Sequence, residues 1–134
     1  MSLNSGKRWL TFDCYDTLVR YTESKFAAMT DLISAKGGTK DLVESVWSVF
    51  QSSERRLQTE DFLPLNQVLK TSLKFALNKI GLDPTSSDED KMLSAVKDAD
   101  PFPEVNQVLS ELKQDYQIAI LSNSEPDIIR FNIA

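Results

Sequence analysis

Histidine is missing from this sequence altogether, and a single cysteine accompanies a net charge of −5 over 134 residues. Without histidine the Ser-His-Asp and Cys-His triads are excluded, together with most zinc sites. Any catalysis then rests on carboxylates, hydroxyls, amides and cations. One thiol allows no intrachain disulfide, which fits a cytoplasmic protein. The acidic balance and the lack of a Lys/Arg run argue against a nucleic-acid partner and against an anionic membrane surface. No apolar run approaches the length that crosses a bilayer, and no secretory signal is visible. The opening, residues 1–6, is polar and carries no fold signal.

What is present has ordinary globular composition, 41% hydrophobic and 26% charged, at a length that suits one domain. The organising stretch is Trp9-Leu10-Thr11-Phe12-Asp13-Cys14-Tyr15-Asp16-Thr17-Leu18. Its apolar, β-prone run ends abruptly in Asp13, and Thr17 follows four residues later inside a polar turn. In open α/β sheets reactive groups sit just beyond the carboxyl ends of parallel strands, where a rigid mount meets a crevice. A second apolar run, Gln117-Ile118-Ala119-Ile120-Leu121, has the look of a buried parallel strand and ends in Ser122-Asn123-Ser124. If the two strands are neighbours, Asp13 and Ser122 share one crevice.

Between them the periodicity is helical. Phe26, Met29, Leu32 and Ile33 form one stripe stopped by Gly37-Gly38, and Leu42, Val43, Val46, Trp47, Phe50 and Leu57 form a longer one. After a loop at Asp61-Phe62-Leu63-Pro64, the stripe Leu65, Val68, Leu69, Ala76, Leu77 and Ile80 closes on Gly81 in the C′ position. Ser86 and Ser87, with the acidic Asp88-Glu89-Asp90, open a helix through Met92, Leu93 and Val96. Pro103 suits the first position of a further helix that buries Val105, Val108, Leu109 and Leu112. Glu125-Pro126-Asp127 opens the last. A simple crossover between parallel strands needs only about a dozen residues. The helices of residues 21–98 therefore read as an inserted helical cap, with residues 7–20 and 99–134 as a partial core.

Asp13-Cys14-Tyr15-Asp16-Thr17 resembles the first motif of the haloacid dehalogenase superfamily, whose leading aspartate is the nucleophile. Phosphatases of that superfamily carry a second aspartate two residues on, whereas 2-haloacid dehalogenases carry tyrosine there and then glycine. Tyr15 matches the dehalogenase branch, and Asp16 departs from both. Pro101-Phe102-Pro103-Glu104-Val105, a helix, and Ile120-Leu121-Ser122-Asn123-Ser124 resemble the second motif in its dehalogenase form. The resemblance implies an α/β fold, a Rossmann-like parallel-sheet core with an inserted helical cap. That core is incomplete here, because the third-motif lysine and the fourth motif are not found: no lysine follows Ser124. Only two strands are legible, so the front part of a longer protein, or a second copy completing the sheet, is expected.

By resemblance, Asp13 is the catalytic nucleophile, and Tyr15, Thr17, Ser122 and Asn123 contact the substrate, a small molecule. A dehalogenase needs no cofactor. A phosphatase would hold Mg²⁺ at Asp13, with Asp16 as its acid, although one step along an extended chain turns that side chain to the other face. A third alternative is a catalytically silent fragment or interaction module. Dehalogenases usually place arginine after a tryptophan in the early cap. Here Ser48 follows Trp47, which leaves Arg20, Arg55 and Arg56 as substitutes on helices whose charged faces are expected in solvent. Cys14, with no histidine to activate it, reads as a small apolar side chain.

Overall fold

The structure is a computed structural model that describes residues 6, 8–60, 62–122 and 124–132. Strand β1 spans Arg8–Phe12 and β2 spans Tyr116–Ile120. They pair in parallel with Phe12 opposite Ile120, and the Leu121 N–H extends the ladder to the Phe12 carbonyl at 2.8 Å. Between the strands lie α1 (Tyr21–Ala35), α2 (Lys40–Thr59), α3 (Leu65–Asn78), α4 (Ser86–Lys97) and α5 (Val105–Leu112), and α6 (Pro126–Ile129) follows β2. This is an α/β fold whose sheet is incomplete among the described residues.

Local chemistry sets the helix ends. At the end of α1, Gly37 takes a φ of 82°, its N–H donates to the Ser34 carbonyl at 3.0 Å, and the Gly38 N–H reaches Ile33 at 2.9 Å. Those two bonds satisfy carbonyls that the last turn would otherwise leave orphaned. Gly38 also has no room for a side chain, since a Cβ would meet Ile33 Cγ2 at 2.3 Å. The same pair of bonds recurs after α3, where Gly81 at φ 77° donates to Asn78 and Leu82 donates to Leu77. Thr39 caps α2 through the Leu42 N–H. The cap of α4 is Thr85, one residue before the serines that the sequence offers. It forms a reciprocal box with Asp88, whose carboxylate also pairs with Lys36 at 3.1 Å.

Helices α1 to α4 share one core, in which Met29, Phe50, Leu73, Ala76 and Leu77 are fully enclosed. Their apolar stripes face it as the periodicity predicts, with two exceptions. Phe26 lies at the surface, edge-on to Trp47, whereas its neighbour Lys25 is only 2% exposed. Where the chain passes from β1 into α1 it runs beside the return segment: Val19 bridges Pro101, Arg20 N–H meets the Asp100 carbonyl, and Phe102 N–H meets that of Leu18.

Three expectations need correction in the second half. Pro103 sits in a turn ahead of α5, with Glu104 as N-cap and Val105 first in the helix, because the Leu18 contact and a Val105-to-Phe102 bond hold that segment as a turn. Only Val105 of the expected buried face is buried; Leu109 and Leu112 are half-buried and Val108 is 44% exposed. β2, likewise, is half-buried along its length. Among the described residues no further layer lies over α5 and β2.

Candidate active site

Asp13 is the first residue after β1, and the turn that follows is wound tightly around the Cys14 carbonyl, which accepts the N–H groups of Thr17, Leu18 and Val19. Closing this turn puts Asp16 in the left-handed region at φ 61°, where aspartate is better tolerated than most residues. The fold brings Thr17 back onto Asp13, and its hydroxyl donates to Asp13 Oδ2 at 3.0 Å. The Asp13 side chain is exposed, so the carboxylate is both oriented and accessible.

Asp16 points elsewhere. Its carboxylate accepts the Thr22 N–H at 2.8 Å and the Thr22 hydroxyl. That caps α1, whose own N-cap residue Arg20 gives no side-chain bond. A carboxylate at a helix N-terminus opposes the dipole as well as satisfying a donor. The loop after β2 makes the same move: Glu125 Oε1 accepts the Asn66 N–H at 2.8 Å, capping α3, where Pro64 has no side chain to do so.

Ser122 is the second residue after β2, and its hydroxyl accepts the Ser124 N–H at 3.2 Å. The strand register therefore sends Asp13 and Ser122 off neighbouring strand ends. Asn123 lies outside the described residues. Tyr15 links the two loops, since its hydroxyl donates to Asn132 Oδ1 and contacts Ser124 Oγ, both at 3.2 Å. A phenol has one proton, so Ser124 is the donor in its pair. Asn132 is anchored in turn, through its amide, to the Val96 carbonyl at 2.9 Å. Burial pushes the Tyr15 phenol above its ordinary value, outweighing the Ser124 bond that favours ionisation. Cys14 is 1% exposed, and burial first, then the Asp13 charge, raise its thiol. It packs with Val19 and Ala99 as a small apolar side chain.

A cavity of about 250 Å³ opens beside Asp13. Tyr15, Asp16 and Tyr21 line it with Asp13, and Gln58, Phe62, Leu63, Leu65 and Val68 come from the α2–α3 corner. Among the described residues no lysine or arginine lines it. Arg20 pairs with Glu23 and lies over Phe102, Arg56 lies over Phe75, and Arg55 is exposed. The sequence reading missed Gln58, Phe62 and Leu63. The available signal was a loop carrying two adjacent apolar residues, one of which, Phe62, is 80% exposed. A larger cavity of about 540 Å³ lies against α5 and β2 with Cys14, Leu18 and Phe131, and it does not include Asp13.

No curated protein matches the chain. Among solved structures, the L-2-haloacid dehalogenase from Xanthobacter autotrophicus aligns with a TM-score of 0.71 at 24% identity, over 95% of this chain and 51% of that one. The same enzyme with chloropropionic acid covalently bound aligns equally well, at 23% identity. The putative HAD-hydrolase YfnB from Bacillus subtilis, bound to magnesium, gives 0.75 at 18% identity, over 95% of this chain and 58% of that one. At such identities the likeness is one of fold, and this chain spans little more than half the length of these relatives. A family model described as haloacid dehalogenase-like hydrolase matches residues 7–134, and the chain belongs to that family.

Proposed function

We propose that the chain carries the nucleophile-bearing segment of a hydrolase acting on a small 2-haloacid, with Asp13 as the nucleophile. The observation behind this is the Asp13 carboxylate at the end of β1, aligned by Thr17 and opening on a cavity of about 250 Å³. A volume near the lower end of ligand sites suits a small substrate. An Asp13 oxygen bonds to C2 of the haloacid as the carbon–halogen bond breaks, and the halide leaves with the electron pair. Water then hydrolyses the ester, releasing the 2-hydroxyacid and a proton and restoring the carboxylate.

Thr17, Ser122 and Asn123 orient the reacting carboxylates through hydrogen bonds. Tyr15 offers the substrate its ring, because its hydroxyl is engaged by Ser124 and Asn132. A departing halide needs no proton, and an un-ionised, tethered phenol is suited to a step that demands none. The covalent chloropropionic adduct of the Xanthobacter dehalogenase is the precedent for this chemistry. Residues 21–98 act in this reading as a cap, contributing Gln58, Phe62 and Leu63 to the substrate cavity. The single, buried, free thiol supports a cytoplasmic setting.

The Mg²⁺-dependent phosphatase reading draws less support. Its acid, Asp16, is committed to Thr22. In that reading Asp13 would hold the Mg²⁺, which would neutralise charge on a phosphoryl group.

Halide release from 2-chloropropionate, compared with phosphate release from p-nitrophenyl phosphate with and without Mg²⁺, tests the assignment. Intact mass should also show one propionate unit added to the parent during turnover. Asp13→Asn should abolish halide release and the adduct. Release that survives this substitution, or turnover of the phosphoester alone, refutes the haloacid reading; no turnover of either by full-length protein identifies a silent module.

A further inference from the structure

Behind the cavity wall lies a charged group with no part in the chemistry above. Lys25 of α1 and Glu54 of α2 are 2% and 8% exposed, and Lys25 Nζ lies 2.6 Å from both Glu54 oxygens. The Tyr21 hydroxyl donates to Glu54 Oε2 at 3.0 Å, and the Lys25 ammonium sits over the Tyr21 ring, 3.8 Å from its centre. Phe50 and Trp47 lie farther out around the same cation. On its outer side the Tyr21 ring stacks on Tyr15, with centres 4.5 Å apart and planes inclined by 26°.

Taking two charges out of water is costly, and apolar replacements of a buried ion pair are often neutral or stabilising. Stability alone is therefore a weak account of this pair. Direction is a better one: the acceptor that Glu54 presents fixes the rotation of Tyr21, and Tyr21 is the surface against which Tyr15 lies. Tyr15 in turn spans the Asp13 loop and the Ser122–Ser124 loop. We infer that Glu54 is a positioning residue for this active site, acting through Tyr21 to hold Tyr15 and hence the spacing of the two catalytic loops. This rests on the proposed function only in its consequence for turnover, since the placement of Tyr15 is measurable without it. Burial lowers the Lys25 ammonium against the pull of Glu54 and keeps the Tyr21 phenol far above the range in which it would ionise, so Tyr21 remains a donor.

The test compares two charge-free variants that differ in one acceptor. Lys25→Met/Glu54→Gln keeps an oxygen for Tyr21, and Lys25→Met/Glu54→Leu removes it. The chain has three tyrosines, so uniform 3-fluorotyrosine labelling gives a fluorine spectrum assignable by single Tyr→Phe variants. The Gln variant should leave the Tyr15 line where the parent has it. The Leu variant should shift or broaden that line while leaving Tyr116 unchanged, and should lower kcat roughly ten-fold or more with a smaller change in KM. Tyr21→Phe, which removes only the donor, should reproduce the Leu variant and guards against a double variant that fails to fold. An unmoved Tyr15 line in both Leu and Phe variants overturns the inference, as does a moved line with unchanged turnover. If the parent turns over neither substrate, the proposed function fails while the fluorine spectra still decide the positioning role.

Discussion

Asp16 stands where dehalogenases of this type usually carry glycine, and the structure shows why both residues serve. The turn needs a positive φ, which glycine gives freely and aspartate accepts, and aspartate adds a cap for α1. Asp16→Asn, which keeps an acceptor and tolerates the left-handed region, should leave the melting temperature close to the parent's. Asp16→Gly should lose mainly the cap, about 1 kcal/mol. Asp16→Ala should lose the cap and strain the turn, roughly 2 kcal/mol in all. Denaturant melts would show this order, and an Ala variant as stable as the Gly variant would refute the turn argument. The placement of Asp13 at a strand end, with Thr17 in the turn behind it, was legible because an apolar run stopped by a carboxylate marks itself in sequence, whereas Tyr15 was singled out by the motif resemblance. Lys25 and Glu54 were not. Nothing local separates a buried charge from a solvated one, and periodicity gave the buried place to Phe26 when tertiary packing gave it to Lys25.

At the scale of elements, the stripes of α2 and α3 and the glycine stops after α1 and α3 were legible because helix period and left-handed caps are properties of short segments. The face of α5 was misjudged for a complementary reason: periodicity says which side is apolar, and only neighbours decide whether that side is covered. Helix ends also carry the clearest pH dependence. Burial raises the Asp88 carboxyl, but the Thr85 backbone and hydroxyl bonds and Lys36 outweigh it, leaving Asp88 below the usual aspartate value. A group depressed in the folded state adds stability that is full above its unfolded value, about pH 3.9, and is lost as pH falls through the folded value. The parent should thus lose stability through that acid window more steeply than Asp88→Asn, which has no carboxyl to protonate. The substitution should also cost about 1 kcal/mol at neutral pH through the weakened box. Equal slopes in denaturant midpoint against pH would exclude Asp88 as the source.

For the molecule as a whole, the sheet is the open question that chemistry can answer. Among the described residues the sheet has two strands, sheet edges are templates for pairing with another chain, and Trp9, Leu121 and Phe131 each keep half or more of their surface in water. The 134-residue chain should therefore self-associate with concentration, as sedimentation velocity would show, with Trp9 fluorescence moving to shorter wavelength as dimers form. A species that stays monomeric across the accessible range would mean the open face is tolerated. Nothing in the sequence could settle this, because strand count is legible but the closing of a sheet depends on what stands beside it.

The side-by-side backbone at Leu18–Arg20 and Asp100–Phe102 has a consequence for how such proteins diversify. Departure and return share hydrogen bonds, so the chain between Tyr21 and Ala99 leaves and rejoins at one double-stranded stem, while the Thr22–Asp16, Asn66–Glu125 and Val96–Asn132 bonds and the Tyr21–Tyr15 stack tie it to the rest at other points. Exchanging those helices for others would leave the chain path at the two joints intact, but evolution, or an engineer, would also have to rebuild the surface on which Tyr15, Glu125 and Asn132 rest. Diversification by wholesale exchange is therefore coupled to the geometry of the Asp13 turn, and a transplant that keeps Tyr21 and Glu54 disturbs that turn least.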